Sequence, residues 1–508
     1  MNRTTATRRF LLSDQALLVF LALLKLMLHF VLIGRYGYHR DELYFIACGQ
    51  HLDWGYVDHS PLVPWIAQAS RTLFGDSLFA LRLFPALAGA ACVLLTGLMA
   101  WRLGAGRFGQ CLAALAYIIA PAFLRTQNML HIPTFEPLYW GLCCYLLIRL
   151  VQTGNPRYWL WIGLVAGVGL MNKPTTVFLG VGVVVGLVLT PHRKQLLSGW
   201  FWLGGLIALA VFMPNIIWQI RHDWPTLEFV RDVNARVMSR ISLFEFLAGQ
   251  ILYLHPFSFP IWLAGLGYYL LAKQAKPYRM MGWIYVVVFV LLLAAKSKIY
   301  YLLPAYPMLL ASGGVAIEAA IQRRRWNWAK PVVTVLLIAG GIGLAPVGLP
   351  VLPIDKVDRY ISLVMGGLLD DVHEVTGDFH DEHGWPNQAA TVARVHRRLT
   401  PQEQANCVIF AGNYGQAGAI DFFGRAYNLP RAMSGHNSYY LWGPGEASFD
   451  VVIVVGFGRE ALEEFFESVE RADTITGEHC IENNVPVCVC RKPKVSIRQE
   501  WPRFKHYD

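Results

Sequence analysis

Ionisable residues in an apolar chain mark where chemistry can happen, and here they gather in a few short segments. Tyr38-His39-Arg40-Asp41-Glu42-Leu43-Tyr44 sets two adjacent carboxylates among a histidine, an arginine and two tyrosines. Neighbouring acids at a membrane surface suit a general base, because burial and the second charge set the pKa. The run Asp53 to Leu62 adds Trp54, Tyr56, Asp58 and His59; the aromatics fit an interfacial belt, and Asp58-His59 fits support of the loop or of an acceptor. Glu136, between Pro133 and Pro137, fits a second acid or a helix first-turn residue favoured by the dipole. Cations stand at Lys173, between Asn172 and Pro174, at Arg221-His222, and at Lys296 and Lys298 ahead of Tyr300-Tyr301. Some of these fit snorkelling to the interface and others fit an anion ligand. Lys25 and His29 lie one turn apart inside an apolar run, which fits either function or pairing within a helix bundle.

Membrane-spanning helices must position these segments. A hydrocarbon core about 30 Å thick takes about 20 apolar residues per helix. Eleven apolar stretches are expected to cross it, near 14–34, 81–101, 108–124, 136–152, 158–171, 174–190, 198–220, 246–272, 280–295, 299–320 and 329–349. The loops alternate in charge. Arg3, Arg8 and Arg9, Arg102 and Arg107, Arg149 and Arg157, His192-Arg193-Lys194, Lys273, Lys276 and Arg279, and Arg323-Arg324-Arg325 all fall on one face. The positive-inside rule makes that face cytoplasmic, with the N-terminus. The opposite face receives 35–80, 125–135, 172–173, 221–245, 296–298 and the tail from 350, so every candidate acid and cation of the site is expected outside. Residues 61–80 read as short helices lying along the interface.

A chain of 508 residues, 55% hydrophobic and 15% charged, is too apolar for a soluble multidomain protein. The net charge of +10 sits mainly in the cytoplasmic loops, where topology explains it, which argues against a nucleic-acid partner. The first span has no small-residue cleavage site and reads as an uncleaved helix. Cys92, Cys111, Cys143 and Cys144 read as small apolar packers. An oxidising compartment would permit a disulfide from Cys480 to Cys488 or Cys490, and the sequence leaves that choice open; the CxC pair lacks a partner pair for a metal.

From about 350 the chain changes character. Three β-rich runs, 407–410, 451–455 and 485–489, alternate with helix-like segments near 387–399, 415–427 and 459–472. Gly412-Asn413-Tyr414-Gly415 follows the first run and opens a helix, as a tight turn or as a cradle for an anion. The expected fold is a multi-spanning α-helical membrane domain, 1–349, with an interfacial first loop at 35–80, followed by an exported soluble α/β domain, 350–508.

Four motifs in this order resemble a known class: the Asp41-Glu42 pair after the first helix, Asp58-His59-Ser60-Pro61-Leu62, Gly169-Leu170-Met171-Asn172-Lys173, and Lys298-Ile299-Tyr300-Tyr301-Leu302-Leu303-Pro304. With Pro214-Asn215, His222-Asp223-Trp224-Pro225 and Asn413-Tyr414-Gly415, they resemble bacterial membrane glycosyltransferases of the GT-C class. More closely, they look like the branch related to the protein O-mannosyltransferases and to the lipid A aminoarabinose transferase.

The resemblance implies transfer of a sugar from a polyprenyl-phosphate carrier to an acceptor on the periplasmic side of a bacterial inner membrane, with inversion. Lipid A or another glycolipid, a glycan and a protein are all acceptors it allows. Asp41 then matches the family's first-loop acid as base, with Glu42 tuning it. Glu136 stands near where relatives often carry an Asp. Lys173, Arg221, His222, Lys298, Tyr300 and Tyr301 are the candidates for the donor phosphate, and Asp58 and His59 for acceptor or loop support. No cofactor is required, because a lipid monophosphate leaves with less charge than a nucleotide diphosphate; a divalent cation held by Asp41, Glu42, Asp58, His59 or Glu136 stays compatible. The rival reading, a transporter or flippase of lipid-linked sugars, would be expected to show inverted repeats and charges on both faces.

Overall fold

A computed structural model describes residues 14–236, 242–365, 377–446 and 448–508. Arg3, Arg8 and Arg9 lie outside the described residues. Among those described, six helices are long and apolar enough to cross a membrane: Asp14–Leu32, Leu78–Arg102, Gly199–Arg221, Lys273–Ala294, Ile299–Arg324 and Ala329–Gly348. The pair Thr176–Val188 and Pro191–Leu197, bent by 117°, makes a seventh if taken as one span. The expected count of eleven is therefore not reached on length and composition.

Prolines explain two of the differences. The stretch at 108–124 divides into helices Arg107–Ile118 and Pro121–Thr126, with Ala120 extended between them. The stretch at 246–272 divides into Leu243–Leu252 and Phe259–Leu271, with His255 at φ +85° before Pro256. A residue before proline is pushed out of the helical region, and hydropathy alone does not register that break. Helices Glu136–Thr153 and Tyr158–Asn172 complete the bundle near the site. Helix Tyr158–Asn172 crosses Gly199–Arg221 at two small residues: a methyl group on Gly163 would overlap the Gly204 backbone, and one on Gly204 the Trp159 carbonyl.

The two ends of the bundle carry different loops, as the charge alternation predicts. At one end Gln152 binds Arg102 O and Tyr278 Oη, and His192 lies 2.7 Å from Pro277 O. At the other, Asn172 donates to Ile132 O (3.0 Å) and Asn215 to Trp54 O (2.8 Å). Helix Leu62–Phe74 follows the first loop with Leu73 and Phe74 exposed.

The tail holds one five-stranded sheet, β1 (Cys407–Ala411), β2 (Ala432–Met433), β3 (Val451–Val455), β4 (Phe466–Ile475) and β5 (Val485–Pro493), in the order β2-β1-β3-β5-β4. The first three are parallel; β5 runs antiparallel to β3 and to β4. Segment 459–472, expected as helix, is helical only over Arg459–Glu463 and then becomes β4, whose outer positions are polar and whose Phe466, Val469 and Ile475 are buried. Cys480, Cys488 and Cys490 are free thiols; Cys488 and Cys490 are two residues apart on β5 and pack into one face of the sheet. The sheet is not a separate body. Helix Tyr414–Phe423 lies on helix Arg40–Gln50, and Phe45, Tyr56 and Val63 share one hydrophobic core with Ile409, Ile420 and Ile453.

Candidate active site

Helix Arg40–Gln50 fixes the two acids. His39 caps it in extended conformation: its Nδ1 accepts the Asp41 N–H at 3.2 Å, and Glu42 Oε2 accepts the His39 N–H at 2.9 Å. The first turn favours negative charge, and consecutive side chains project about 100° apart, so the two carboxylates meet different surroundings. Asp41 keeps 22% of its side chain exposed. Its Oδ2 lies 2.9 Å from His131 Nε2, and its Oδ1 accepts the Tyr414 hydroxyl at 2.9 Å. Burial raises the Asp41 pKa, but the His131 hydrogen bond, the charges of His39 and His131 and the Tyr414 hydroxyl outweigh it and hold the carboxyl far below the usual range.

Glu42 is the opposite case, fully buried. Its two oxygens accept from Arg82 Nε (2.8 Å), Arg82 Nη2 (2.7 Å), Leu130 N (2.9 Å) and His39 N (2.9 Å). Arg82 also reaches Glu382 at 3.1 Å, and Arg125 binds Glu382 at 2.6 Å. Two arginines of the helical bundle thus share a tail carboxylate. With its acceptor sites occupied, Glu42 braces the loop and offers no lone pair to a substrate.

Glu136 opens helix Glu136–Thr153 and is buried. Its Oε2 lies 3.1 Å from Lys173 Nζ, and its Oε1 accepts from Thr175 at 2.9 Å. Lys173, at the end of helix Tyr158–Asn172, stands 3.8 Å from the Tyr301 ring centroid and 5.4 Å from that of Tyr300. The 132–134 turn joins the two clusters: His131 binds Asp41 on one side of it, and Glu136 binds Lys173 on the other. Next to Lys173, Leu170 and Thr176 line an apolar cleft of about 490 Å³ together with Trp159, Ile162, Ala166 and Leu179.

The remaining sequence candidates are dispersed. Asp58 accepts the Tyr44 hydroxyl at 2.8 Å, and His59 Nδ1 binds Ser60 O at 2.9 Å, so both hold the loop. His222 stacks on Trp218 at 4.2 Å and binds its carbonyl, while Arg221 is exposed; neither contacts the Asp41 or Lys173 clusters. Lys298 caps the 299–305 turn and pairs with no carboxylate among the described residues. Lys25 donates to Phe123 O (3.2 Å) and His29 lies 3.3 Å from Asn128 Oδ1, which is pairing inside the bundle. Asp41, Glu42, Asp58, His59 and Glu136 do not converge as a three-ligand set among the described residues.

His131, Tyr414, Arg82 and Glu382 were not legible as site residues. They come from four distant segments, and only Gly415 and Gly418 hint at the packing. A Cβ on Gly415 would lie 2.6 Å from Arg40 Cγ, and one on Gly418 would lie 3.0 Å from the Leu43 carbonyl carbon, so these glycines let the tail helix approach the Asp41 helix. The backbone of the 412–415 turn is used internally. Gly412 N–H donates to Val455 O (2.9 Å) and to Gln416 Oε1 (3.0 Å), and Asn413 Oδ1 caps Gln416 N.

This architecture has relatives of known structure. ArnT from Cupriavidus metallidurans superposes with a TM-score of 0.60 in its undecaprenyl-phosphate complex and 0.61 without ligand, at 16% and 17% identity, each covering 93% of this chain and 97% of that one. The fold is that of the GT-C glycosyltransferases. An Archaeoglobus fulgidus oligosaccharyltransferase in its apo form is also similar, at a TM-score of 0.50 and 13% identity, covering 82% of this chain and 64% of that one. In sequence, residues 58–218 match the model of the dolichyl-phosphate-mannose-protein mannosyltransferase family. The chain is also 23% identical over 266 residues to the lipid A galacturonosyltransferase RgtD of Rhizobium johnstonii, a match spanning 51% of this chain and 56% of that protein.

Proposed function

We propose that this protein is a glycosyltransferase that moves a sugar from a polyprenyl-phosphate donor to an acceptor hydroxyl on the periplasmic side of a bacterial inner membrane, with inversion. The observation that carries the reading is the continuous line from the open, ionised carboxylate of Asp41, through His131 and the 132–134 turn, to the Glu136–Lys173 pair beside an apolar cleft. The alternation of Lys and Arg between the two ends of the bundle supports the orientation.

In the proposed reaction Lys173 meets the donor phosphate and the cleft receives the first isoprene units. Tyr300 and Tyr301 flank the ammonium group, and Glu136 holds it in place until phosphate takes over part of that pairing. The acceptor oxygen bonds to the anomeric carbon while the anomeric C–O bond to phosphate breaks, and polyprenyl phosphate leaves with the bonding pair. The hydroxyl proton passes to Asp41. A carboxylate so strongly stabilised is a weak base toward a neutral alcohol. Attack on an oxocarbenium-like carbon makes that hydroxyl strongly acidic, and a weak, permanently ionised base then suffices. The ArnT structure with undecaprenyl phosphate and the lipid A substrate named for RgtD favour a lipid-linked donor and a glycolipid acceptor.

The test is transfer of radiolabelled sugar from a panel of polyprenyl-phosphate donors by purified protein in detergent, with wild type set against Asp41→Asn. Product from wild type and near-complete loss in a folded Asp41→Asn variant is the expected result. Transfer at the wild-type rate by the variant removes Asp41 as base, and absence of product with every donor and acceptor removes the glycosyltransferase reading.

A further inference from the structure

On the far side of Tyr414 from Asp41, two histidines and an aspartate converge. A parallel bridge pairs His436 with His506, with Asn437 N–H donating to His506 O (3.1 Å) and His506 N–H to Gly435 O (3.0 Å). Gly435 is needed because the Phe504 carbonyl fills the place a Cβ would occupy. The bridge sets the imidazoles side by side, 4.4 Å between centroids. Asp508 Oδ1 lies 2.9 Å from His436 Nε2, and one ligand atom from each of the three residues lies within 4.8 Å of the others.

Two observations go beyond a simple ion pair. His506 Nδ1 lies 2.9 Å from Phe504 O and so donates to it, the carbonyl-anchored orientation common among metal-binding histidines. His436, only 8% exposed, turns its Nε2 to two oxygens of Asp508 at once, Oδ1 at 2.9 Å and the main-chain O at 3.0 Å, so oxygen and imidazole ligands face one another. We propose that His436, His506 and Asp508 form a binding site for a zinc-like divalent cation. Two imidazole nitrogens and one carboxylate oxygen favour zinc over magnesium or calcium, and a fourth position is left for water. Bond lengths near 2.0–2.1 Å put tetrahedral ligand atoms about 3.3 Å apart, so the three atoms, now within 4.8 Å of one another, would draw closer on binding.

The site adjoins the candidate active site without belonging to it. The Tyr414 ring lies 4.7 Å from that of His436, and the Tyr414 hydroxyl donates to Asp41. A bound ion would tie the segments around 436 and 506 together behind Tyr414 and stiffen its support of the carboxylate.

The experiment uses full-length protein in detergent, stripped with EDTA and titrated with Zn²⁺ against a chromophoric chelator, then with Co²⁺ for its visible spectrum. Wild type should take up about one equivalent and give a tetrahedral Co²⁺ spectrum. His506→Gln and Asp508→Asn should each weaken binding about 10-fold or more, while Cys488→Ser/Cys490→Ser leaves it unchanged. Asp508→Asn changes a partly exposed side chain and keeps the test valid if His506→Gln fails to fold. No stoichiometric binding by wild type, equal affinity in the histidine and aspartate variants, or loss in the cysteine variant overturns the site. None of these outcomes depends on glycosyl transfer.

Discussion

Asp41 and Glu42 are neighbours in one helical turn, yet their surroundings have opposite character. Glu42 is sealed by four N–H donors, two of them from an arginine it shares with Glu382. Asp41 is partly open and held by a histidine and a tyrosine brought from 90 and 373 residues away. Charge and position along the chain do not separate the two. Saturation of the carboxylate does: a group with every lone pair spent can only hold structure, whereas one with exposed surface and an ionised resting state can receive a proton.

The sharpest way to break this contrast is to make the same change at both positions. Asp41→Asn should cut transfer by about 10²–10⁴-fold in protein that stays folded and monodisperse. Glu42→Gln should do the reverse. It leaves buried Arg82 with Glu382 as its one carboxylate partner among the described residues, a loss on the order of 3 kcal/mol, so the melting temperature in detergent falls while the folded fraction transfers at near the wild-type rate. If Glu42→Gln abolishes turnover in protein of unchanged stability, the structural assignment of Glu42 is wrong.

Lys173→Gln comes next in size. It removes the cation facing Glu136 and the two tyrosines, and transfer should fall about 10–100-fold, with weaker binding of undecaprenyl phosphate in equilibrium titrations. Unaltered lipid-phosphate affinity would move the donor site to Lys298 or Arg221, neither of which has such a cluster around it.

Asp421 supplies a third environment. Its oxygens accept only neutral donors, Ala432 N at 2.8 Å and the Tyr439 hydroxyl at 2.9 Å, and burial pushes its pKa up to about 6. The ordinary value is about 3.9, so between about pH 4 and 6 the folded state holds more protons than the unfolded one. Stability falls as pH rises through that window and stays lower above it, by about 3 kcal/mol. Asp421→Asn should therefore melt above wild type at pH 7.5 and lose that advantage at pH 4.5. A pH-independent difference would mean that the Asp421 carboxyl titrates normally.

The parts legible in the sequence were those with a short-range signal. Loop charges gave the two ends of the bundle, hydropathy gave the long helices, and the β-rich runs gave β1, β3 and β5. What escaped depended on backbone geometry or distant contact. Ala120 and His255 leave the helix because proline follows each. β4 alternates too loosely, with two exposed residues between Phe466 and Val469, to be told from a helix. At the site, Asp41, Lys173 and the Tyr300-Tyr301 pair stood out as polar groups in apolar surroundings. His131 and Tyr414 did not, because nothing local to either residue refers to Asp41, and only folding of the tail onto the first loop brings Tyr414 within 2.9 Å.

The smallest expected effect probes that last contact and asks whether the tail takes part in the chemistry. Tyr414→Phe removes one hydroxyl and keeps the ring, which packs 4.6 Å from Tyr44 and 4.7 Å from His436. A hydrogen bond of this kind contributes about 1–2 kcal/mol, so transfer should fall by about 5–30-fold if Tyr414 holds Asp41 in line with the acceptor. A second consequence works against the first. Without the hydroxyl, the Asp41 carboxylate loses one of the contacts that lower its pKa and becomes a slightly stronger base, which offsets part of the loss. The two effects separate by comparing good and poor leaving groups on the donor: misalignment slows both equally, while stronger basicity favours the poorer one. Unchanged rates with both donors would reduce Tyr414 to packing and leave the open side of Asp41 defined by His131 alone.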